Sequence, residues 1–306
     1  MLDPTELYQV QDDVREVLED GGGSRVLVHH FEGYVDAGHA AALAVEHLLT
    51  TLPATMVAAF DVDQLLDYRS RRPIMTFDMD HWADYDEPVL ALYALHDLSG
   101  TPFLLLTGPE PDTQWERFIA AVTELVNAFG VTLTVGMNAI PMAVPHTRPA
   151  GITAHATRRE LIANWEQWSA MAELPGSAGA LLELRLGQSG HDAMGLAVHV
   201  PHYLADTDYP RSARSLLDHV AAATGLALPT DAFAEAVEQT SATIERKVAD
   251  SEQASKVVRA LERRYDSAMA AGNRPSLLDG QRAMPTADEI GAEAERFLAE
   301  QDRETG

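Results

Sequence analysis

The sequence predicts an α/β protein with a mainly parallel sheet flanked by helices, and three observations carry this prediction. Strand-like and helix-like segments alternate along most of the chain, which is typical of a parallel sheet with helices on its faces. The run Pro102–Thr107 is continuously apolar, as in a strand buried on both faces. The stretch Arg25–Leu49 has the pattern of a strand, a glycine-bearing turn and a small-residue helix, which is the first unit of such a fold.

The composition is that of an ordinary globular protein, but it is strongly acidic. The 306 residues include 22 Lys and Arg against 47 Asp and Glu, a formal net charge of −25. This charge repels phosphate backbones and anionic lipids, so it argues against nucleic-acid and membrane partners and would suit a basic protein partner. Cysteine is absent, which excludes disulfides, thiol nucleophiles and cysteine-ligated zinc. Without a signal-peptide pattern or a bilayer-length apolar run, the expected location is cytoplasmic.

The first half of the chain supplies the first strands and a hairpin. The expected elements are strands at Val26–Phe31 and Met56–Phe60, a helix from about His39 to Leu49, and a helical turn at Asp63–Tyr68. Two extended runs, Ile74–Asp78 and Val89–Leu95, flank a polar segment and predict a hairpin near residues 72–95. Because the unpaired edge of a hairpin must be covered, we expect this one to contact another subunit.

The middle of the chain continues the alternation. After the buried strand at 102–107, Thr113 and Glu116 have the spacing of a capping box, which predicts a helix start. The helical period then runs over Trp115–Phe129. Val131–Met137 predicts the next strand, and a proline-rich loop follows at 141–149.

The pattern changes near residue 230. Before it we expect an extended segment at Gly151–His155, a helix at Arg158–Asn164 begun by a Thr157–Glu160 capping box, a strand at Ser169–Leu174, a helix from Ser177 to Leu186, a strand at Met194–Val200 and a helix at Arg211–Thr224. After it come a long charged helical stretch, Asp231–Ala270, and a last helix begun at Thr286. The sequence therefore predicts an α/β core at residues 1–229 and a helical appendage at residues 230–306 that packs on the core as a lid.

Three predicted loops place polar residues at one edge of the sheet. Open α/β sheets bind ligands at the carboxyl ends of their strands, where loops 32–38, 108–112 and 137–148 emerge. The candidate ligand-binding residues of this crevice are Gly33, Tyr34, Asp36, Gly38, Gly108, Glu110, Asp112, His146, Arg148 and His202. A carboxylate, a histidine and an arginine would supply a general base and an anion clamp, as hydrolysis or phosphorolysis needs.

An alternative interpretation gives the same residues structural roles. In it, Asp36 and Asp112 cap helices, and Glu110 pairs with Arg148. Tyr203 then closes a pocket wall or packs at a subunit contact. Both interpretations stay open at this level.

No cofactor or metal motif supports a named reaction. The chain has no dinucleotide-binding G-x-G-x-x-G, no phosphate-binding G-x-x-x-x-G-K and no G-x-S-x-G serine elbow. His29 and His30 are adjacent on a strand and face opposite sides, so they cannot readily share one ion. His199 and His202 straddle a proline without a clearly spaced third ligand. We therefore expect no cofactor and no metal, and the catalytic residues stay unassigned.

Together the motifs resemble a known family. GYVDAG at 33–38, GPEPD at 108–112, VPHTRP at 144–149 and VHVPHYLAD at 198–206 are similar to the actinobacterial branch of the proteasome-assembly-chaperone (PAC2) family, over about residues 24–300. The resemblance implies an α/β sandwich similar to purine nucleoside phosphorylases, a hairpin used in oligomerisation, a C-terminal helical lid and a homotrimer. Eukaryotic relatives are chaperones of proteasome assembly, whereas the branch looks like a set of uncharacterised proteins.

Two functional hypotheses follow. In the first, the protein is an oligomeric binding or chaperone-like module that engages another protein. In the second, it is a hydrolase or phosphorylase-like enzyme acting on a small anionic or nucleoside-like molecule in the crevice. The missing nucleophile and metal signatures favour the first. A crevice filled by Tyr34, Trp115 or Tyr203 would support it further.

Overall fold

The computed structural model describes residues 2–11, 25–165 and 171–270. The chain divides into two compact units, Met1–Tyr265 and Asp266–Gly306, and the sheet belongs to the first. The helix predicted after Thr286 and residues 169–170 of a predicted strand lie outside the described residues. None of the described helices is long and apolar enough to span a bilayer.

An eight-stranded sheet forms the centre of the first unit. Its strands are β1 (Tyr8–Val10), β2 (Arg25–Glu32), β3 (Ala54–Phe60), β6 (Ala91–His96), β7 (Pro102–Pro109), β8 (Val131–Met142), β9 (Ile152–Ala156) and β10 (Ala193–Pro201), while β4 (Met75–Asp78) and β5 (His81–Tyr85) form a separate hairpin. The spatial order is β1-β3-β6-β7-β2-β8-β10-β9. The four neighbours β7, β2, β8 and β10 are parallel, and the outer pairs are antiparallel. The predicted α/β fold is thus confirmed as a mixed, mostly parallel sheet.

Helices cover both faces of this sheet. The helices of the described part of the chain are α1 (Ala40–Thr51), α2 (Val62–Leu65), α3 (Trp115–Ala128), α4 (Ala178–Gln188), α5 (Pro210–Thr224), α6 (Ala234–Ala249) and α7 (Glu252–Ala270). Side chains of α1 and α5 share one hydrophobic core, and those of α3 and α4 share the other. Strand β2 explains the division, because Val26 and Val28 join the first core and Leu27 and Phe31 join the second.

The hairpin forms with a different partner from the one predicted. Met75–Asp78 pairs with His81–Tyr85, and Met79 makes the turn with φ +48°. The predicted pairing with Val89–Leu95 is wrong, because most of that run is β6, which lies between β3 and β7. Its apolar residues are buried in the sheet, a gain that an isolated two-stranded ribbon does not offer.

Neither predicted capping box forms. The residue before α3 is Gln114, with φ +57°, and the Thr113 hydroxyl donates to the Gln64 carbonyl at 3.2 Å. Glu116 instead accepts from Arg185 of α4 at 2.5 Å. Long-range partners have thus replaced the local cap.

Other local predictions have mixed outcomes. The helix predicted at 158–164 is a 3₁₀ turn over Arg159–Ile162, whose preceding residue makes no side-chain cap. Residues 171–177 have no regular structure, so the strand predicted there is wrong over its described part. The cap at Ser177 is confirmed, since its Oγ accepts from the Ala180 N–H at 3.2 Å. The helical stretch predicted at 231–270 begins with a 3₁₀ turn over Thr230–Phe233 and contains the two helices α6 and α7.

Candidate functional site

Four parallel strands end together at one edge of the sheet. Residues 33–36 follow β2, residues 110–112 follow β7, residues 143–148 follow β8, and a 3₁₀ turn over His202–Leu204 follows β10. All ten candidate residues lie in or beside these segments. What each side chain contacts decides between the catalytic and the structural interpretation.

Asp36 holds the start of α1. Its two carboxylate oxygens accept from the backbone N–H groups of Ala41 at 2.9 Å and Ala42 at 3.0 Å. These donors are among the four that a helix start leaves unpaired, and a carboxylate is favoured there. The structural interpretation of Asp36 therefore agrees with the geometry.

Glu110 has the same role at a different helix. Its buried side chain accepts from the Ala178 N–H, the first residue of α4, at 2.6 Å. Its backbone N–H donates to the Glu32 carbonyl at 2.7 Å, which ties the end of β7 to the end of β2. The suggested pairing of Glu110 with Arg148 is wrong: Arg148 lies 3.6 Å from the carboxylate of Glu262 in α7.

Asp112 binds an arginine that the sequence analysis did not single out. The Arg71 guanidinium donates to the Asp112 carboxylate at 2.5 Å, to the Glu110 carbonyl at 2.7 Å and to the Glu32 carbonyl at 3.1 Å. The crevice between the ends of β2 and β7 is therefore filled by a cation from the chain itself. Asp112 caps no helix, and its second oxygen accepts from the Asp67 N–H at 2.7 Å.

Two glycines of this edge are required by shape. A Cβ on Gly108, which has φ +138°, would lie 2.2 Å from the Val89 carbonyl oxygen. Gly38, with φ +66°, would bring a Cβ within 2.9 Å of the Tyr209 side chain. Both positions fix how closely neighbouring segments approach.

His146 is held by Tyr203. The tyrosine hydroxyl accepts from the His146 backbone N–H at 2.9 Å and lies within hydrogen-bonding distance of the ring Nδ1, at 2.7 Å. The guanidinium of Arg211 donates to the His146 carbonyl. Burial, and the Arg211 charge after it, lower the pKa of His146, and burial raises the pKa of Tyr203 to about 12. This pair is neutral at pH 7.

The loop that carries His146 also contacts α7. The Thr147 hydroxyl donates to a Glu262 carboxylate oxygen at 2.6 Å. His202 is exposed, and its ring packs edge-on against Tyr203 with centroids 5.4 Å apart. Tyr34 is 39% exposed and donates to the Pro175 carbonyl at 3.1 Å. The contacts that the structure shows for His202 and Tyr34 do not bring either side chain together with His146 at one point.

In the described part of the chain, two histidines near this edge have a buried ring nitrogen without a hydrogen-bond partner: His30, near the end of β2, and His199, near the end of β10. The Nδ1 of His30 lies 3.2 Å from the Met137 carbonyl and donates to it. The Nε2 of His30 is buried without a partner, and the nearest Asp36 oxygen is 3.8 Å away. Among the described residues, no group of three or more His, Cys, Asp or Glu side chains could hold a metal ion.

The hairpin has the opposite character. Every residue of β4 and β5 is exposed, including Phe77 at 56% and Trp82 at 63%, and Met79 at the turn is 88% exposed. The rings of Phe77 and Trp82 pack edge to face, with centroids 5.1 Å apart. An open concavity of about 450 Å³ at the hairpin base is lined by Tyr68, Arg72, Pro73, Met75, Trp82 and Tyr85.

The sequence analysis missed Arg71 and the apolar character of the hairpin. A signal for Arg71 was present: RSRRP at 69–73 is a basic cluster in a chain of net charge −25. The signal for the hairpin surface was the run of large apolar residues among aspartates, from Ile74 to Tyr85. Apolar residues in a short strand ordinarily indicate a buried face, so this pattern does not by itself reveal exposure.

The fold and the candidate site define a class of α/β protein. It has a hairpin outside its sheet, and its loops are joined to one another at the carboxyl edge. The chain belongs to the PAC2 family, whose model matches residues 30–248. It is similar to a Mycobacterium tuberculosis protein of unknown function, Rv2714, with 49% identity and a TM-score of 0.82, covering 87% of this chain and 90% of that one.

Two other solved structures are similar. A protein of unknown function from Corynebacterium glutamicum ATCC 13032 has 36% identity and a TM-score of 0.83, covering 87% of this chain and 98% of that one. The M. tuberculosis proteasome-assembly chaperone homologue Rv2125 has 23% identity and a TM-score of 0.70, covering 76% of this chain and 99% of that one, a likeness of fold. No curated protein matches the chain significantly.

Proposed function

We propose that this protein is an oligomeric, chaperone-like binding module that uses its hairpin as the contact surface. The observation that carries the proposal is the exposure of large apolar side chains along β4, β5 and their turn. An isolated two-stranded hairpin is marginally stable in water, and contiguous exposed apolar surface marks interaction sites. Docking against a protein would remove Phe77, Met79 and Trp82 from water, a favourable transfer.

The charges of the hairpin fit a second copy of the chain. The tip and return strand carry Asp78, Asp80 and Asp84, whereas the base carries Arg69 and Arg72. Arg69 and Arg72 of one copy would supply cations to the acidic tip of the next, although Asp67, Asp86 and Glu87 lie beside them at the base. Such head-to-tail contacts form a ring when the rotation between copies closes, and the stoichiometry implied by the family resemblance is a trimer.

The carboxyl edge supports a binding role over catalysis. Asp36 and Glu110 are engaged at helix starts, Asp112 holds Arg71, and Tyr203 holds His146. A catalytic base needs a free lone pair within reach of a substrate, and each of these groups already makes at least one hydrogen bond inside the chain. We also propose that residues 230–306 form an appendage that acts as a lid, supported by the contact of Glu262 with Thr147.

The partner beyond the oligomer is proposed to be a protein. The net charge of −25 would favour a basic surface on that partner. Membership of the PAC2 family supports a protein partner, and the similar fold of a proteasome-assembly chaperone homologue is consistent with it. The cysteine-free composition suits a reducing compartment, so we propose a cytoplasmic location.

Sedimentation velocity over a micromolar concentration series tests the proposal. We expect the wild type to sediment as an oligomer and the double variant Phe77→Ser/Trp82→Ser as a monomer. Leu184→Ser is the matched control, because Leu184 is also an exposed large apolar residue, at 53%, but lies on α4. A monomeric wild type, or a double variant that stays oligomeric, would contradict the proposal.

A second candidate function is a small-molecule site, hydrolytic or phosphorolytic, at the carboxyl edge. The unpartnered Nε2 of His30, 3.8 Å from Asp36, is the observation that favours it. A thermal-shift screen with nucleosides, nucleotides and phosphorylated metabolites tests it, because a ligand of the native state raises the melting temperature. A shift that His30→Phe abolishes would support this candidate, and a shift that survives the substitution would place the ligand elsewhere.

A further inference from the structure

The crevice between the ends of β2 and β7 is built around the planar cation of Arg71. Its acceptors come from the ends of two strands: the Glu32 carbonyl at the last residue of β2, and the Glu110 carbonyl and Asp112 carboxylate in the loop after β7. A guanidinium presents several donors in a fixed plane and can reach all three acceptors, whereas a lysine ammonium cannot span them with the same geometry.

The surroundings of this guanidinium are fixed independently of it. A Cβ at Gly33 would lie 2.8 Å from Arg71 Nη1, so the absence of a side chain there leaves the space that the cation fills. Asp112 is oriented by the Asp67 N–H at 2.7 Å. Glu110 is oriented at its side chain by the N–H of Ala178. The groups around the guanidinium are therefore also held by hydrogen bonds that the guanidinium does not make.

Arg71 also stands at the point where the chain leaves for the hairpin. Three residues separate it from the start of β4, and two of them, Arg72 and Pro73, line the concavity at the hairpin base. The base is closed by a hydrogen bond from the Asp86 N–H to the Ile74 carbonyl at 2.9 Å. All hairpin side chains are exposed, so few contacts other than the flanking chain orient the hairpin.

We propose that this crevice is a guanidinium-binding site, that Arg71 is its internal ligand, and that the bond positions the hairpin relative to the sheet. Arg71 is thus a positioning residue for the contact surface and does not itself meet the partner. The consequence for assembly rests on the proposed function of the hairpin, whereas the guanidinium site stands without it.

Chemical rescue of Arg71→Ala tests the site. We expect the variant to melt about 3–6 °C below the wild type, because a half-buried carboxylate and two carbonyls lose the donors that Arg71 supplies. Millimolar methylguanidinium should restore most of that loss. Methylammonium should not, and a second change, Asp112→Asn, should remove the rescue. The wild type should not respond, because the tethered Arg71 has a high effective concentration.

Trp82 reports on the hairpin in the same samples. In ¹⁹F-tryptophan-labelled protein, with Trp82→Phe used to assign the signal, the Trp82 resonance should shift in Arg71→Ala and return with methylguanidinium. If Arg71→Ala does not fold, Arg71→Lys serves instead and should show the same shift with a smaller loss of melting temperature. Absence of rescue, equal rescue by methylammonium, or an unmoved Trp82 signal would overturn the proposal. Sedimentation of the wild type decides the proposed function separately.

Discussion

The hairpin and the carboxyl edge of the sheet use their side chains in opposite ways. At the edge, carboxylates, a histidine and an arginine meet, as in many active sites, yet most of them bond to one another or to helix starts. At the hairpin, large apolar residues that would ordinarily build a core face solvent. The comparison teaches that clustering of polar residues is weaker evidence of function than an apolar surface without a cover.

The largest expected effect lies at the edge, in Gly108→Ala. The added Cβ would meet the Val89 carbonyl at 2.2 Å, and the backbone has φ +138°, so strain and overpacking act together. We expect a loss of about 3–5 kcal/mol in the free energy of unfolding, measured by urea titration. Gly100→Ala is the control, because Gly100 has φ +82° but nothing within 4 Å. Equal losses of unfolding free energy in Gly108→Ala and Gly100→Ala would show that close packing around Gly108 does not cause the destabilisation.

A smaller loss is expected for Tyr203→Phe. The change leaves the His146 backbone N–H and Nδ1 without their partner, at a cost of about 1–3 kcal/mol. Tyr34→Phe removes one hydroxyl from an exposed site and should cost less than about 0.5 kcal/mol. Chemical unfolding of both variants compares them. If Tyr203→Phe were as mild as Tyr34→Phe, His146 would be free to act as a base, and the contrast between the two regions would weaken.

Acid should destabilise the sheet through its buried histidines. Burial lowers the pKa of His29 to about 3 and that of His199 to about 4. Between these values and the unfolded pKa near 6.5, the unfolded chain binds more protons. Stability is therefore complete above about pH 6.5 and falls as pH decreases, each group contributing a slope of up to about 1.4 kcal/mol per pH unit.

His199→Gln isolates one of these contributions. The stability of this variant should depend less on pH between about 4 and 6.5 than that of the wild type. His202→Gln serves as the control, because His202 is exposed. If neither His199→Gln nor His202→Gln changes the pH dependence of the unfolding free energy, burial of His199 is not a cause of that dependence.

The smallest effect on stability is expected at the hairpin. Met79 is 88% exposed and belongs to neither hydrophobic core, so Met79→Ser should change the unfolding free energy by less than about 0.5 kcal/mol. Urea titration at a concentration low enough to keep the chain monomeric measures this. A loss of more than about 1.5 kcal/mol would mean that the turn packs against the body, and the hairpin would then not be a free surface.

The sequence predicted the parts of this molecule that depend on local patterns. The apolar run of β7, the helical period of α3 and the cap at Ser177 are short-range signals, and the structure confirms them. The motifs at the ends of the parallel strands also placed the candidate residues at one edge.

The parts that were missed depend on distant partners. Glu116 was predicted to complete a capping box, but its carboxylate accepts a hydrogen bond from Arg185, 69 positions later in the chain. The run at 89–95 joined the sheet because β3 and β7 pair with β6 along its two edges. Arg71 reaches acceptors 39 and 41 positions away. No window of sequence contains both members of such pairs, so local periodicity cannot reveal them.

The central claim is that the hairpin, and not the carboxyl edge, is the contact surface. Amide hydrogen exchange at low and high protein concentration tests it most directly, with peptides covering 75–85 compared with those covering 143–148. The account predicts that exchange in the hairpin slows as concentration rises, while exchange in the edge loop stays the same. Slower exchange confined to residues 143–148, with the hairpin unchanged, would contradict it.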